Sequence, residues 1–161
     1  VDVTGEVPVL LRPGGVTPAM LREAAGDVRI HPAVTAALTA GEAAASPGMK
    51  YKHYAPKTRV VLVHAAASAF ARFVNAQGQG ASAIAFDGET ADLTVPFLTY
   101  GARDDAAAQA RRVFGALRDA DALGASVVYC ACPERPPRDG IALAVYNRLL
   151  RAAAFEVITL D

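Results

Sequence analysis

From Thr58 to the C-terminus, short unbroken apolar runs alternate with helical segments, and this pattern restricts the fold more than any other feature. Arg59-Val60-Val61-Leu62-Val63-His64 carries no polar residue between its ends. A strand with one wet face would alternate, so this one must be covered on both sides. A helix is expected over about 68–77, and Gly78-Gln79-Gly80 then turns the chain into a second strand at 81–86. A third strand is expected within 94–99. The strongest helix pattern, 104–122, gathers Ala106, Ala110, Val113, Phe114 and Leu117 on one face, with Asp104 and Asp105 where the helix dipole favours acids. A strand at 126–131, a helix at 140–153 and a strand at 156–160 complete the series. Strands separated by helices pair in parallel. Residues 58–161 should therefore form a small α/β domain, three-layer and Rossmann-like, with a mainly parallel sheet.

The first part reads differently. Val1-Asp2-Val3 and Val7-Pro8-Val9-Leu10-Leu11 are short strand pieces around a turn at Thr4-Gly5-Glu6. Thr17-Pro18 starts a helix of about 18–25, with Thr as N-cap and Pro at the first helical position, and Gly26 stops it. So few elements cannot enclose a core. Residues 1–28 are therefore expected to be the tail of a larger upstream domain, and 29–57 a linker with room for one short helix. A connection of that length inside a compact protein is functional or a tether.

The charge balance narrows the function. Sixteen basic residues meet sixteen acidic ones, which argues against a general nucleic-acid binder. No apolar run reaches membrane-spanning length, and no basic-then-apolar leader opens the sequence. Cys130 and Cys132 stand two apart, too close for an unstrained disulfide and only half a zinc set, so they read as reduced thiols in a cytoplasmic protein.

Positive charge is concentrated locally. No Asp or Glu lies between Glu42 and Asp87, while Lys50, Lys52, Lys57, Arg59 and Arg72 all do. At the centre of that stretch stands Ser46-Pro47-Gly48-Met49-Lys50-Tyr51-Lys52-His53-Tyr54-Ala55-Pro56-Lys57. Its ammonium, imidazole and phenol groups suit a small anion that also offers a flat ring. Arg12, beside the Pro13-Gly14-Gly15 turn, is a second phosphate candidate, because a guanidinium forks onto two oxygens. No G-x-G-x-x-G follows the first strand of the α/β domain, which argues against dinucleotide binding there. His64, at that strand's end, reads as a hydrogen-bonded structural histidine, and nothing in the sequence gives His31 a role. No serine lies in a nucleophile-elbow context.

The Ser46–Pro56 motif resembles the interdomain linker of the long-form threonylcarbamoyl-AMP synthases, whose pattern is close to S-P-G-M-K-Y-R-H-Y-x-P; Lys52 replaces the arginine. Val1-Asp2-Val3-Thr4 with Leu11-Arg12-Pro13-Gly14 resembles the end of that family's YrdC-like catalytic domain. Gly140-Ile141-Ala142-Leu143-Ala144-Val145-Tyr146-Asn147-Arg148-Leu149 resembles the last helix of its α/β accessory domain. The resemblance implies three regions: 1–28 as the YrdC-like tail, 29–57 as the linker and 58–161 as the accessory domain. It implies a nucleotidyltransferase parent that makes threonylcarbamoyl-AMP from L-threonine, bicarbonate (or CO2) and ATP, releasing pyrophosphate. The product would pass to the tRNA threonylcarbamoyl transferase machinery for the modification of adenosine 37.

By the same resemblance, Arg12 and Tyr51 contact ATP, while Lys50, His53 and Tyr54 support closure of the site. No residue here is assigned as catalytic or as a metal ligand. Mg2+ would accompany ATP in the parent, and the accessory domain would carry no cofactor. The threonine pocket would lie upstream, so this fragment alone is expected to be inactive. Two other readings remain: a non-catalytic regulatory α/β module that binds a small ligand, and an RNA-binding arm at Lys50 to Arg59, which the small cation count disfavours.

Overall fold

A computed structural model describes residues 1–37, 56–133 and 135–160. Among the described residues the N-terminal part contains β1 (Val9–Leu10), α1 (Pro18–Ala25) and β2 (Arg29–Ile30). The C-terminal part contains β3 (Arg59–His64), α2 (Ala67–Ala76), β4 (Ala81–Ala85), β5 (Phe97–Thr99), α3 (Ala106–Asp119), β6 (Val127–Cys132), α4 (Gly140–Ala152) and β7 (Val157–Thr159). The five strands β3–β7 form one parallel sheet in the order β5-β4-β6-β3-β7.

Burial explains why β3 and β6 are central. Val60 to Val63 are each at most 4 % exposed, so both faces of β3 are covered, as its unbroken apolar run requires. Each such side chain contributes about 1.5–3 kcal/mol through burial. The crossovers β3–α2–β4 and β6–α4–β7 run in opposite directions across the sheet, and each passes over one strand. Right-handed crossovers then set α2 on one face and α4 on the other, where it packs along α3. This is the expected three-layer parallel architecture. Its strand order departs from the usual doubly wound one by an exchange of the two central strands, β3 and β6.

The elements lie within a few residues of the expected ones, and the differences have local causes. Helix α3 begins at Ala106 because the Asp105 carboxylate accepts from the Ala108 N–H at 2.8 Å and caps it. It ends at Asp119, where a 3-10 turn, Ala120–Leu123, takes over. Val113 and Leu117 of the expected face are buried, joined by Gln109 and Ala116, but Phe114 is 44 % exposed. Phe114 lies under the Arg148 guanidinium, 3.8 Å from the ring centroid, so its apolar surface is covered from the next helix.

Buried Gln109 donates from Nε2 to the carbonyls of Ala102, at 2.6 Å, and Arg103, at 3.1 Å, which holds the loop between β5 and α3. Gly101 in that loop has a φ of 124°, and a Cβ there would stand 2.9 Å from the Gln109 backbone nitrogen.

The N-terminal part is more ordered than strand fragments followed by a long connection. β1 and β2 pair in parallel with α1 between them, a small βαβ unit, and Asp2 bridges Val9 across the first turn. Thr17 caps α1 through its Oγ1, and Gly26 closes it with a φ of 79°. A 3-10 turn at Pro32–Val34 follows, capped by His31, whose Nδ1 accepts from the Ala33 N–H. Strands two residues long carry no readable periodicity, which is why β2 escaped the sequence pattern.

This unit docks on α4. Asn147, buried on that helix, donates from Nδ2 to the Val34 carbonyl at 2.6 Å, and Arg151 donates from Nη2 to the Ala33 carbonyl at 3.1 Å. At the start of α4, Asp139 accepts from the N–H groups of Gly140 and Ala19 and pairs with Arg22 at 2.8 Å. On the other side, Asp121 accepts from the N–H groups of Lys57 and Thr58.

Two outcomes follow from these contacts. Gly101→Ala is expected to lower the urea midpoint by an amount equivalent to about 1–3 kcal/mol, because a left-handed backbone and a backbone clash combine; equilibrium denaturation measures it. The Asp139 carboxyl is held below its ordinary range, chiefly by the Gly140 N–H and then by Arg22 and Ala19. A depressed folded pKa gives stability that is present above the unfolded value of about 3.9 and is lost as pH falls through the folded value. Asp139→Asn should therefore have a lower thermal midpoint than wild type at pH 7, with the gap closing below about pH 4. The gap should be small, because the carboxylate is exposed to solvent.

Candidate functional site

The sequence singles out five residues for a nucleotide site. Of these, Arg12 is described: it is exposed and stands between β1 and the buried Pro13. Lys50, Tyr51, His53 and Tyr54 lie outside the described residues. The flanks of their segment are anchored. Ala33 and Val34 are held on α4, and Lys57 and Thr58 on the Asp121 carboxylate, whose pKa these amides lower.

Ligands of α/β sheets usually bind where the carboxyl ends of two strands diverge to opposite faces. Here that place is the end of β3 and β6, where His64 and Cys132 are neighbours in register. His64 is 3 % exposed, and both ring nitrogens are engaged. The Pro133 carbonyl can only accept, so Nδ1–H donates to it. In the neutral ring Nε2 then accepts from the Tyr146 hydroxyl at 2.9 Å. Burial, and secondarily Cys132, pushes the Tyr146 phenol up to about 12, so it remains a donor at neutral pH.

Arg103 covers the same strand ends. Its guanidinium donates to the carbonyls of Cys132 and Ala65, stands 4.5 Å above the Phe86 ring and forms a two-pronged ion pair with Glu89, both contacts at 2.7 Å. These side chains fill the crevice themselves. His64 is thus the structural histidine that its position suggested. Cys130 and Cys132 are free, buried thiols; the side-chain hydrogen bond with Cys132, and then burial, raise the Cys130 pKa.

Three contributors were not legible in the sequence. Arg103 precedes two aspartates in a loop, and only the fold brings it to Glu89, 14 residues away. Tyr146 reaches His64 across 82 residues. Arg151 sits at the end of α4, where a basic residue ordinarily needs no explanation beyond the helix dipole. Its Nε is buried without an acceptor among the described residues.

Known proteins resemble this chain over nearly its whole length. A family model described as "Threonylcarbamoyl-AMP synthase, C-terminal domain" matches residues 16–154. The threonylcarbamoyl-AMP synthase of Pyrococcus abyssi (strain GE5 / Orsay) is 33 % identical over 165 residues, covering 98 % of this chain and 46 % of that protein. The Bacillus subtilis (strain 168) threonylcarbamoyl-AMP synthase is 28 % identical over 157 residues, covering 95 % and 44 %. A crystal structure of P. abyssi Sua5 complexed with L-threonine superposes with a TM-score of 0.79 at 31 % identity, covering 99 % of this chain and 46 % of that one. The chain thus spans less than half the length of these relatives.

The buried histidine contact has a measurable consequence. Tyr146→Phe removes the hydroxyl that faces His64 Nε2 and leaves a buried ring nitrogen without its partner. Stability should fall by about 1–3 kcal/mol with unchanged far-ultraviolet circular dichroism, as read from denaturant midpoints.

Proposed function

The chain belongs to the threonylcarbamoyl-AMP synthase family through its C-terminal domain, and from that premise we propose that it is the linker and accessory part of an enzyme that adenylates a threonine carbamate. In this reading residues 1–28 end the catalytic domain, 29–57 form the linker and 58–161 the accessory domain. The parent is a cytoplasmic nucleotidyltransferase serving tRNA modification. The threonine amine and bicarbonate form the N-carboxylate with loss of water. One of its oxygens forms a bond to the α-phosphorus of ATP, the bond to the bridging oxygen breaks, and pyrophosphate leaves.

Such a transfer depends on alignment of the two reactants and on neutralisation of phosphate charge. Arg12 suits the neutralising role, because it is exposed and enters none of the ion pairs of the described residues. Tyr51 would contact ATP, and Lys50, His53 and Tyr54 would help exclude water. Mg2+ would accompany ATP and share its phosphate charge; among the described residues no group of three His, Cys, Asp or Glu side chains that could hold a metal converges. No described helix is long and apolar enough to cross a membrane.

The observation that carries this reading is the family match over 16–154, joined to an exposed arginine at the R-P-G turn that lies outside the ion pairs of the described residues. The test uses the parent enzyme and follows threonylcarbamoyl-AMP formation. Wild type should form it from L-threonine, bicarbonate and ATP, while the 161-residue chain alone should form none. Arg12→Ala should reduce kcat/KM for ATP by roughly tenfold or more, the loss of a charge-assisted hydrogen bond. Tyr51→Phe should reduce it several-fold, as for a neutral one. Unchanged kinetics in both variants would remove the assigned roles.

A further inference from the structure

The ion pairs of the described residues engage Arg22, Arg59, Arg103 and Arg112 with Asp139, Glu156, Glu89 and Asp87. Arg12 and Arg151 enter none of them. Arg151 projects from the last turn of α4, where its Nη2 is committed to the Ala33 carbonyl and its Nε–H is buried with no acceptor among the described residues. A buried guanidinium N–H without a partner is an unfavourable state that an oxyanion would relieve.

Arg12 lies near the same place in the fold. It lies two residues past Leu10, whose carbonyl accepts from the His31 N–H at 2.9 Å, and this bond brings the Arg12 turn beside the Pro32–Val34 turn that holds Arg151. The Arg12 charge is near enough to Arg151 to add to burial in lowering the Arg151 pKa. Like charges held near one another repel, and a bound anion offsets that repulsion.

The arrangement is also held in place. Asn147, one helical turn before Arg151, fixes Val34 through a buried 2.6 Å bond, so the Ala33 carbonyl that orients Arg151 is itself positioned. On the other side the Phe155 ring lies 5.9 Å from the Arg151 guanidinium carbon. A guanidinium forks onto two phosphate oxygens, and that of Arg151 is already oriented by backbone.

We propose that Arg12 and Arg151 together form an oxyanion site for a diphosphate group, so that α4 of the accessory domain supplies one of the two cations that hold the phosphates. The site rests on the reading of Arg12 as a phosphate contact and extends it to a residue 139 positions away. Arg151 thereby becomes a direct binding residue, and the accessory domain acts on the nucleotide side of the reaction through it.

The test is calorimetric titration of the 161-residue chain with inorganic pyrophosphate at fixed ionic strength, with the thermal midpoint followed in parallel. Wild type should bind and gain thermal stability, and affinity should fall as salt rises. Arg12→Gln and Arg151→Gln should each weaken binding at least tenfold. Arg151→Lys, which keeps the charge and loses the fork, should lie between. A purely structural Arg151 would lower the ligand-free midpoint and leave pyrophosphate affinity unchanged, which overturns the proposal. If Arg151→Gln fails to fold, Arg12→Gln at its exposed position and Arg151→Lys decide: wild-type affinity in both overturns it. Absence of pyrophosphate binding by wild type overturns it as well. Product formation by the parent is a separate readout. A parent that makes no threonylcarbamoyl-AMP while its pyrophosphate site responds to both arginines would sink the assigned function and leave this site standing.

Discussion

The parallel pairing of β3 with β6, in register from Arg59 opposite Val127 to His64 opposite Cys132, is the constraint on which the rest of the molecule depends. Both strands are buried, so their amides and carbonyls can be satisfied only by neighbouring strands. Once the pair forms, β4 and β7 must take the two free edges, and the crossovers that carry the chain there must lie on opposite faces. The helices then close the core from both sides. What remains open is the carboxyl edge, where strand carbonyls end without partners from the sheet.

That edge is occupied by the protein's own side chains. In many parallel sheets it receives a ligand. Here Arg103 donates to the Ala65 and Cys132 carbonyls, Glu89 neutralises its charge, and the His64–Tyr146 contact seals the interior. The sheet thus serves as a frame. Off it, along α4, the N-terminal βαβ unit docks through Asn147, Arg151 and Asp139. The C-terminal α/β part holds the chain on both sides of the cationic, aromatic segment, at Val34 and at Thr58.

Legibility in the sequence followed the range of the forces involved. Helix α1 could be read with its cap, proline and closing glycine, because every signal lies within ten residues. The β3 run announced a strand covered on both faces for the same reason. Phe114 was misplaced because periodicity reports which residues share a face and not what an adjacent helix offers; Arg148 covers its ring from α4. β2 was missed because two residues carry no period. Arg12 could be singled out from a local turn, whereas Arg103 with Glu89 and Arg151 with Ala33 join residues that are ordinary until the fold brings them together.

By itself the sequence determined the class of the domain, the parallel sense of its sheet and the segment that carries the family likeness, because hydrophobic period and turn chemistry act locally. Only the tertiary structure decided the strand order, the closure of the carboxyl edge and the seating of the Ala33 carbonyl on Arg151. Those outcomes depend on burial and charge summed over residues far apart in the chain, and no local window contains them.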